Sequence, residues 1–277
     1  LELGQISELA AELTLNIIGD TSAILPALEN GLTYRAGFFI EIDTGHHRTG
    51  VFWKDLAEID RMLEFLSGSN RLQFKGFLTH AGHTYSADSH EEIIDIYKDS
   101  VRKMAYLKDF YKEAWPELII SIGDTPGCSL AEDFAGVDEV RPGNFIFYDL
   151  MQYSLGSCDL EQIAVVMACP VVSKSIQRNE ITIYGGSVHF SKDFLYKSNG
   201  EHLYGYVVKL DEKGWSKPLQ SSYLASLSQE HGIIRAPKDF VEEVSIGDVL
   251  GIIPVHSCLT ANLMKGFVTL EGEAIGY

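Results

Sequence analysis

Apolar positions along this chain change their period midway. In the first half, short apolar runs at 15–19, 38–43, 74–79 and 118–122, with a further segment around Val140, read as strands. Between them the stretches 53–66 and 90–111 carry apolar side chains at the spacing of a helix face. Strand, helix, strand repetition predicts a parallel sheet with helices outside it. The stretch 6–13 reads as the middle of an amphipathic helix with no capping signal before it, so the chain is expected to begin partway through a fold. From about residue 160 the helical period fades. Segments 163–173, 180–188, 204–209 and 249–255 are β-rich, split by turn signals such as Asn199-Gly200 and Lys213-Gly214. This half is expected to be a mainly antiparallel β-domain, which divides the chain into 1–150 and 151–277.

Several predicted strands end in polar or glycine groups: Gly19-Asp20, Glu41-Ile-Asp43, Thr79-His80, Gly123-Asp124 and Arg141-Pro-Gly143. Polar residues gathered at the C-terminal ends of parallel strands are where a (β/α)8 barrel keeps its active site. The expected fold is therefore α/β, a (β/α)8 TIM-type barrel followed by the antiparallel domain. Only about five strands of such a barrel are visible.

A chain of 277 residues, 45% of them hydrophobic, can bury a large core. The net charge of −17 argues against nucleic acid or an anionic membrane as partner. No apolar run approaches the roughly 18 residues of a membrane span. Cys128, Cys158, Cys169 and Cys258 lie far apart with no CxxC pair, the pattern of a reduced, cytoplasmic protein.

Candidate chemistry sits in six places. In Gly251-Ile-Ile-Pro-Val-His-Ser-Cys-Leu-Thr260, a continuing strand would project His256 and Cys258 to one face and turn Ser257 away. Imidazole nitrogen with thiolate sulfur suits zinc, and two protein ligands imply an open, reactive site. A buried cysteine beside a core histidine fits the same spacing. Ser121-Ile-Gly-Asp-Thr-Pro-Gly-Cys-Ser129 offers glycine and hydroxyls on a sharp turn, and Arg141-Pro-Gly-Asn144 ends the next strand; such loops can hold a phosphate, although most Gly-Pro turns only turn. In Leu78-Thr-His-Ala-Gly-His-Thr-Tyr85, His80 and Tyr85 are the candidates for ligand contact, while His83 and His90 read as solvated. Arg48, past a strand end, balances an anionic ligand, caps a helix or pairs with Asp43. Finally, Glu230-His231-Gly232 reads as a turn unless the second half folds over the barrel mouth.

Taken in series, Glu41-Ile-Asp-Thr-Gly-x-x-Arg48-Thr-Gly-Val, His80-Ala-Gly-His-Thr-Tyr85, Gly123-Asp-Thr-Pro126, Arg141-Pro-Gly-Asn-Phe-x-Phe-Tyr-Asp149, Glu230-His-Gly232 and Pro254-Val-His-Ser-Cys258 resemble the D-serine dehydratase and D-threonine aldolase group. These are relatives of alanine racemase with a pyridoxal-phosphate barrel and a C-terminal β-domain. The resemblance implies a pyridoxal 5'-phosphate enzyme in which Gly123, Thr125, Gly143 and Asn144 lie near the cofactor phosphate. Arg48 and Tyr85 would lie near the pyridine ring, His80 and His231 near the substrate, and His256 and Cys258 would hold zinc beside the cofactor. The aldolase branch carries His-x-Asp with a harder metal, so Cys258 favours the dehydratase branch, which gives pyruvate and ammonia from D-serine. Cleavage of a β-hydroxy D-amino acid by an aldolase, or a racemase-like protein, is the alternative. The implied partners are a small amino-acid substrate and a second copy in a homodimer.

Two departures from the group stand out. Phe145 replaces a usual tyrosine. The lysine that carries the cofactor belongs, in the group, to the first barrel strand, and Lys54, Lys75 and Lys174 lack that setting. It is expected upstream of Leu1.

Overall fold

The computed structural model describes residues 2–276. Two compact units divide the chain, Leu1–Gly143 and Asn144–Tyr277, so the division falls inside the Arg141–Asn144 motif.

In the first unit α1 (Leu3–Glu12) leads into β1 (Asn16–Gly19), α2 (Leu25–Gly31), β2 (Ala36–Asp43), the two-residue β3 (Val51–Phe52) and α3 (Leu56–Ser67). Then come β4 (Leu72–Thr79), α4 (His90–Tyr111), β5 (Ile119–Ile122), α5 (Thr125–Leu130) and β6 (Glu139–Val140). The strands lie in the order β1-β2-β4-β5-β6, every pair parallel, with β3 beside the end of β2. Five of the first six residues of β2 are apolar or glycine and buried, the signature of a parallel strand covered on both faces.

The helices follow their sequence periods. Asp55 caps α3 through the Glu58 N–H, and Ile59, Met62, Leu63 and Leu66 form its buried stripe. Ser89 caps α4 in the same way, and Ile93, Tyr97, Ser100, Met104, Leu107 and Tyr111 face inward. Gly76 lies beside the register slip of β4 against β2, at φ +151°. A Cβ there would fall 1.9 Å from the Ile119 carbonyl oxygen, so β4 and β5 approach this closely only with glycine. The register sets Thr79 opposite Ile122 and Ile122 opposite Val140, so His80, Gly123 and Arg141 leave the sheet along one edge.

The second unit comprises α6 (Leu150–Ser154), β7 (Met167–Ser175), β8 (Glu180–Tyr184), α7 (Ser187–Phe190), β9 (Leu195–Tyr196), β10 (His202–Leu203) and β11 (Gly205–Asp211). It continues with β12 (Gly214–Trp215), β13 (Tyr223–Leu227), β14 (His231–Arg235), α8 (Lys238–Glu243), β15 (Val249–Pro254), α9 (Ser257–Met264) and the hairpin β16 (Gly266–Val268) and β17 (Ala274–Gly276). Strands β11-β13-β14-β8-β7-β15 pair antiparallel in turn, and β15 pairs back to β11, which closes a barrel. Closure removes the open edges an antiparallel sheet would expose. Alternate residues fill the interior, among them Cys169, Val171, Ile181, Ile183, Val207, Leu224, Ile234 and Ile252.

Three expectations need correction here. The segment 180–188 is not one strand: β8 ends at Tyr184, and the next glycines admit a close approach, since a Cβ on Gly186 would lie 2.4 Å from the Gln229 carbonyl oxygen. Short helices also punctuate this half, none longer than the eight residues of α9 among the described residues, too short to show a helical period. The third concerns residues 249–258: β15 stops at Pro254, and Ser257 begins α9. Among the described residues no helix is long and apolar enough to cross a membrane.

Candidate functional site

Each unit gathers its own set of polar groups. In the first, the side chains collect where the parallel strands end. His80 Nδ1 donates to the Gly123 carbonyl oxygen at 2.6 Å, tying the end of β4 to the end of β5. Burial holds His80 below its ordinary pKa, opposed by that hydrogen bond and aided by the charges of Arg48, His46 and Arg141. It therefore stays neutral near pH 7.

Around His80, three imidazoles converge. The His46 ring lies 5.5 Å from that of His80 and 6.2 Å from that of His83, centroid to centroid. His83 is half-buried rather than solvated, its Nδ1 buried without a hydrogen-bond partner, and burial lowers its pKa. Arg48 is exposed and does not pair with Asp43. That carboxylate instead accepts from His47 Nδ1 at 2.8 Å and from the Gly45 and His47 N–H groups, which together hold it below its usual range despite partial burial. Tyr85 is half-buried in a one-turn 3-10 helix, Gly82–Ser86.

The predicted phosphate loop after β5 is a helix start instead of an open turn. Asp124 caps α5 by accepting from the Gly127 N–H at 2.6 Å, and it also accepts from the Thr84 hydroxyl at 2.9 Å. Burial pushes its carboxyl up to about 6 in spite of both bonds. Thr125, fully buried, occupies the first turn. Arg141 is spent on architecture: Nε donates to Ser121 Oγ at 2.7 Å and Nη2 to the Thr79 carbonyl at 2.8 Å. Its guanidinium lies against Gly123, where a Cβ would be 2.8 Å from Nη1. Gly143 faces open space, with nothing within 4 Å of a built Cβ.

The second unit's set is built around Asp149, 1% exposed. Its Oδ2 accepts from the Asn144 amide at 2.6 Å, the Ser257 N–H at 2.9 Å and the Ser257 hydroxyl at 3.3 Å. Its Oδ1 caps α6 through the Gln152 N–H. One buried carboxylate thus joins the Asn144 turn to the His256-Ser-Cys258 turn. Ser257 is held inward by this bond, not turned away.

His256 and Cys258 do meet, by a route the sequence reading did not foresee. His256 keeps an extended backbone at φ −129° and ψ 102°, while Cys258 projects from the first turn of α9. Cys258 is the main influence raising the His256 pKa against burial, and the charges of Asp149 and Asp193 add to it. Asp193 Oδ2 lies 2.8 Å from His256 Nδ1. The other three cysteines are poor ligands: burial pushes Cys128 and Cys158 up to about 11 and Cys169 up to about 12. His231 opens β14, exposed, with its ring 5.9 Å from that of Tyr184, and the turn before it closes the β13–β14 hairpin.

Fit to the expected groups can be tested on these observations. A buried threonine hydroxyl in a helix's first turn and a glycine facing open space suit a phosphate. A borderline imidazole and a soft sulfur suit zinc, yet among the described residues no group of three or more His, Cys, Asp or Glu is arranged to hold a metal. Sequence reasoning placed Asp124 and Asp149 in motifs without giving them a role, and it missed Asp193. The first two follow a capping pattern, an aspartate three residues before the N–H it accepts; Asp193 lies 63 residues from its partner and left no local signal.

Two family models match the chain. One described as alanine racemase, N-terminal domain, matches residues 3–150, and one described as putative serine dehydratase domain matches residues 164–270. A D-serine dehydratase of Dictyostelium discoideum is 32% identical over 247 residues, which take in 85% of this chain and 61% of the relative. The chain thus spans about three fifths of that relative's length. A D-threo-3-hydroxyaspartate dehydratase of Delftia sp. (strain HT23) is 29% identical over 273 residues, 94% of this chain and 70% of the relative. The solved structure of the D-threo-3-hydroxyaspartate dehydratase from Delftia sp. HT23 superimposes with a TM-score of 0.87 at 25% identity, covering 99% of this chain and 75% of that one.

Proposed function

Because the chain belongs to the alanine racemase N-terminal domain family, we propose that it serves a pyridoxal-phosphate- and zinc-dependent lyase that eliminates water from a β-hydroxy D-amino acid, D-serine first. The observation that carries this reading is the His256–Cys258 pair, an imidazole and a thiol set two residues apart at the start of α9 in a segment matching the putative serine dehydratase domain. Support for the substrate comes from the relatives named D-serine dehydratase. The parallel strands of the first unit are read as part of a (β/α)8 barrel. A homodimer belongs to the same proposal, as does a cytoplasmic setting, which the four free cysteines favour.

In the first unit Gly123, Thr125 and Gly143 are assigned to the cofactor phosphate, and Arg48 and Tyr85 to its ring. In the second unit Asn144 is assigned to the phosphate, and His256 and Cys258 to zinc. When bound, pyridoxal phosphate supplies an electron sink for the carbon that loses its proton, and zinc a Lewis acid for the departing hydroxyl. The chain's own part is to orient and to keep charge in order. His80, neutral and fixed through Nδ1, offers Nε2 as an uncharged group near the strand ends. His231 keeps its assignment as a residue near the substrate. Loss of the α-proton and the β-hydroxyl leaves an enamine, which water converts to pyruvate and ammonia.

The test is pyruvate release from D-serine by the full-length natural protein, with and without a zinc chelator. Chelator-sensitive pyruvate is the expected result. Glycine and an aldehyde from D-threonine, without pyruvate from D-serine, would move the assignment to aldol cleavage. The Delftia relative supports a second substrate arm: oxaloacetate from D-threo-3-hydroxyaspartate in place of pyruvate would keep the elimination and change the substrate.

A further inference from the structure

We infer that Asp193 is the residue that positions His256 for the metal, an inference that rests on the zinc reading above. A histidine that binds a metal through one ring nitrogen needs its other nitrogen occupied, because that second bond fixes the tautomer and the ring's orientation. Asp193 meets the requirement: its Oδ2 accepts from His256 Nδ1 at 2.8 Å, which directs the lone pair of Nε2 away from the carboxylate. The other carboxylate near this turn has a different task, since Asp149 accepts from the Ser257 N–H and hydroxyl and not from the imidazole.

The segment that carries Asp193 is built to hold it there. Directly after α7, Ser191 adopts φ +70°, a left-handed conformation that a residue with a side chain enters at a cost. Its Oγ accepts from the Asp193 N–H at 3.2 Å, closing a tight turn that aims the carboxylate. The chain then enters the β9–β10 ladder, which pins the far side of the turn. On the near side, α7 packs against α9, the helix whose first turn carries Cys258. The Asp193 segment is thus referenced to the His256–Cys258 turn through the packing of α7 on α9.

A purely structural explanation is weaker. The pair is partly exposed, 26% for the histidine side chain and 32% for the aspartate, and ion pairs in that setting contribute little to stability. Backbone strain at Ser191 costs at least as much as such a pair returns. A turn that is unfavourable for stability and still points a carboxylate at a ligand nitrogen is accounted for by orientation.

The experiment is zinc affinity, measured by competition with a chromophoric chelator, on the full-length protein carrying its cofactor. Asp193→Ala is expected to weaken zinc binding roughly 10- to 100-fold while cofactor absorbance stays unchanged. Asp193→Asn, which keeps an oxygen facing Nδ1 without the charge, is expected to lose less. Ring-nitrogen NMR of the metal-free protein supplies a second readout that a structural role would not move. The Nδ1–H form should dominate at His256 in the parent and lose its dominance in Asp193→Ala. Equal zinc affinity in parent and Asp193→Ala overturns the positioning role and leaves the zinc reading standing. Zinc binding by the parent no tighter than by a His256→Ala, Cys258→Ala double variant overturns the zinc reading and this inference with it.

Discussion

Around the ends of the parallel strands burial drives His80, His83 and Asp124 towards neutrality, whereas on the barrel's His256 turn Cys258 and nearby carboxylates hold an imidazole towards its charged form. His80 and His83 are lowered and Asp124 is raised, each with burial as the first cause. His256 is raised, with Cys258 first and Asp149 and Asp193 behind it. Depth alone does not separate the histidines, since His80, His83 and His256 are all half-buried. What differs is the company: His256 has Cys258, Asp149 and Asp193 beside it, whereas at His80 burial is opposed only by the Gly123 hydrogen bond. One unit therefore presents neutral imidazoles at His80 and His83, and the other an imidazole supported by carboxylates.

The change expected to break this contrast most severely is Cys258→Ala. It removes the soft donor and should lower pyruvate release on the order of 10³-fold, about 4 kcal/mol of barrier, while cofactor absorbance persists. Turnover at the parent rate would leave the second unit without its proposed chemistry. Next is Asp149→Ala, which strips acceptors from the Asn144 amide and the Ser257 and Gln152 N–H groups. It should cost roughly 3–5 kcal/mol in denaturant unfolding, and a loss under 1 kcal/mol would mean water replaces the carboxylate.

A smaller effect sharpens the account of the first unit. Asp124 has a folded pKa of about 6, above its ordinary 3.8, so its protonated form is favoured by folding. The stability it contributes is complete below about pH 4 and lost as pH rises through about 6, roughly 3 kcal/mol in all. Asp124→Asn keeps an oxygen for the Gly127 and Thr84 donors without an ionisation to oppose. Its unfolding free energy should lack the parent's decline between pH 4 and 6. Parallel pH profiles for parent and variant would show that water reaches this carboxylate.

Much of this architecture is legible in the chain itself. Period-two and continuous apolar runs located the strands because burial on one or two faces imposes those patterns locally, and α4 was read from His90 to Tyr111 as it stands. His80, Gly123 and the His256-Ser-Cys258 turn were visible because their residue types announce their chemistry. Tertiary structure alone decided the rest. Pairing of β15 with β11 closes the barrel, and no residue pattern in either strand names its partner. The start of α9 at Ser257 brings Cys258 to His256 by a helical turn, where a strand was the simpler reading of the same letters. Asp149 and Asp193 became part of the story only through contacts 108 and 63 residues away in sequence. A carboxylate's role is set by what it touches once the chain is folded, and that information is not carried by its neighbours in sequence.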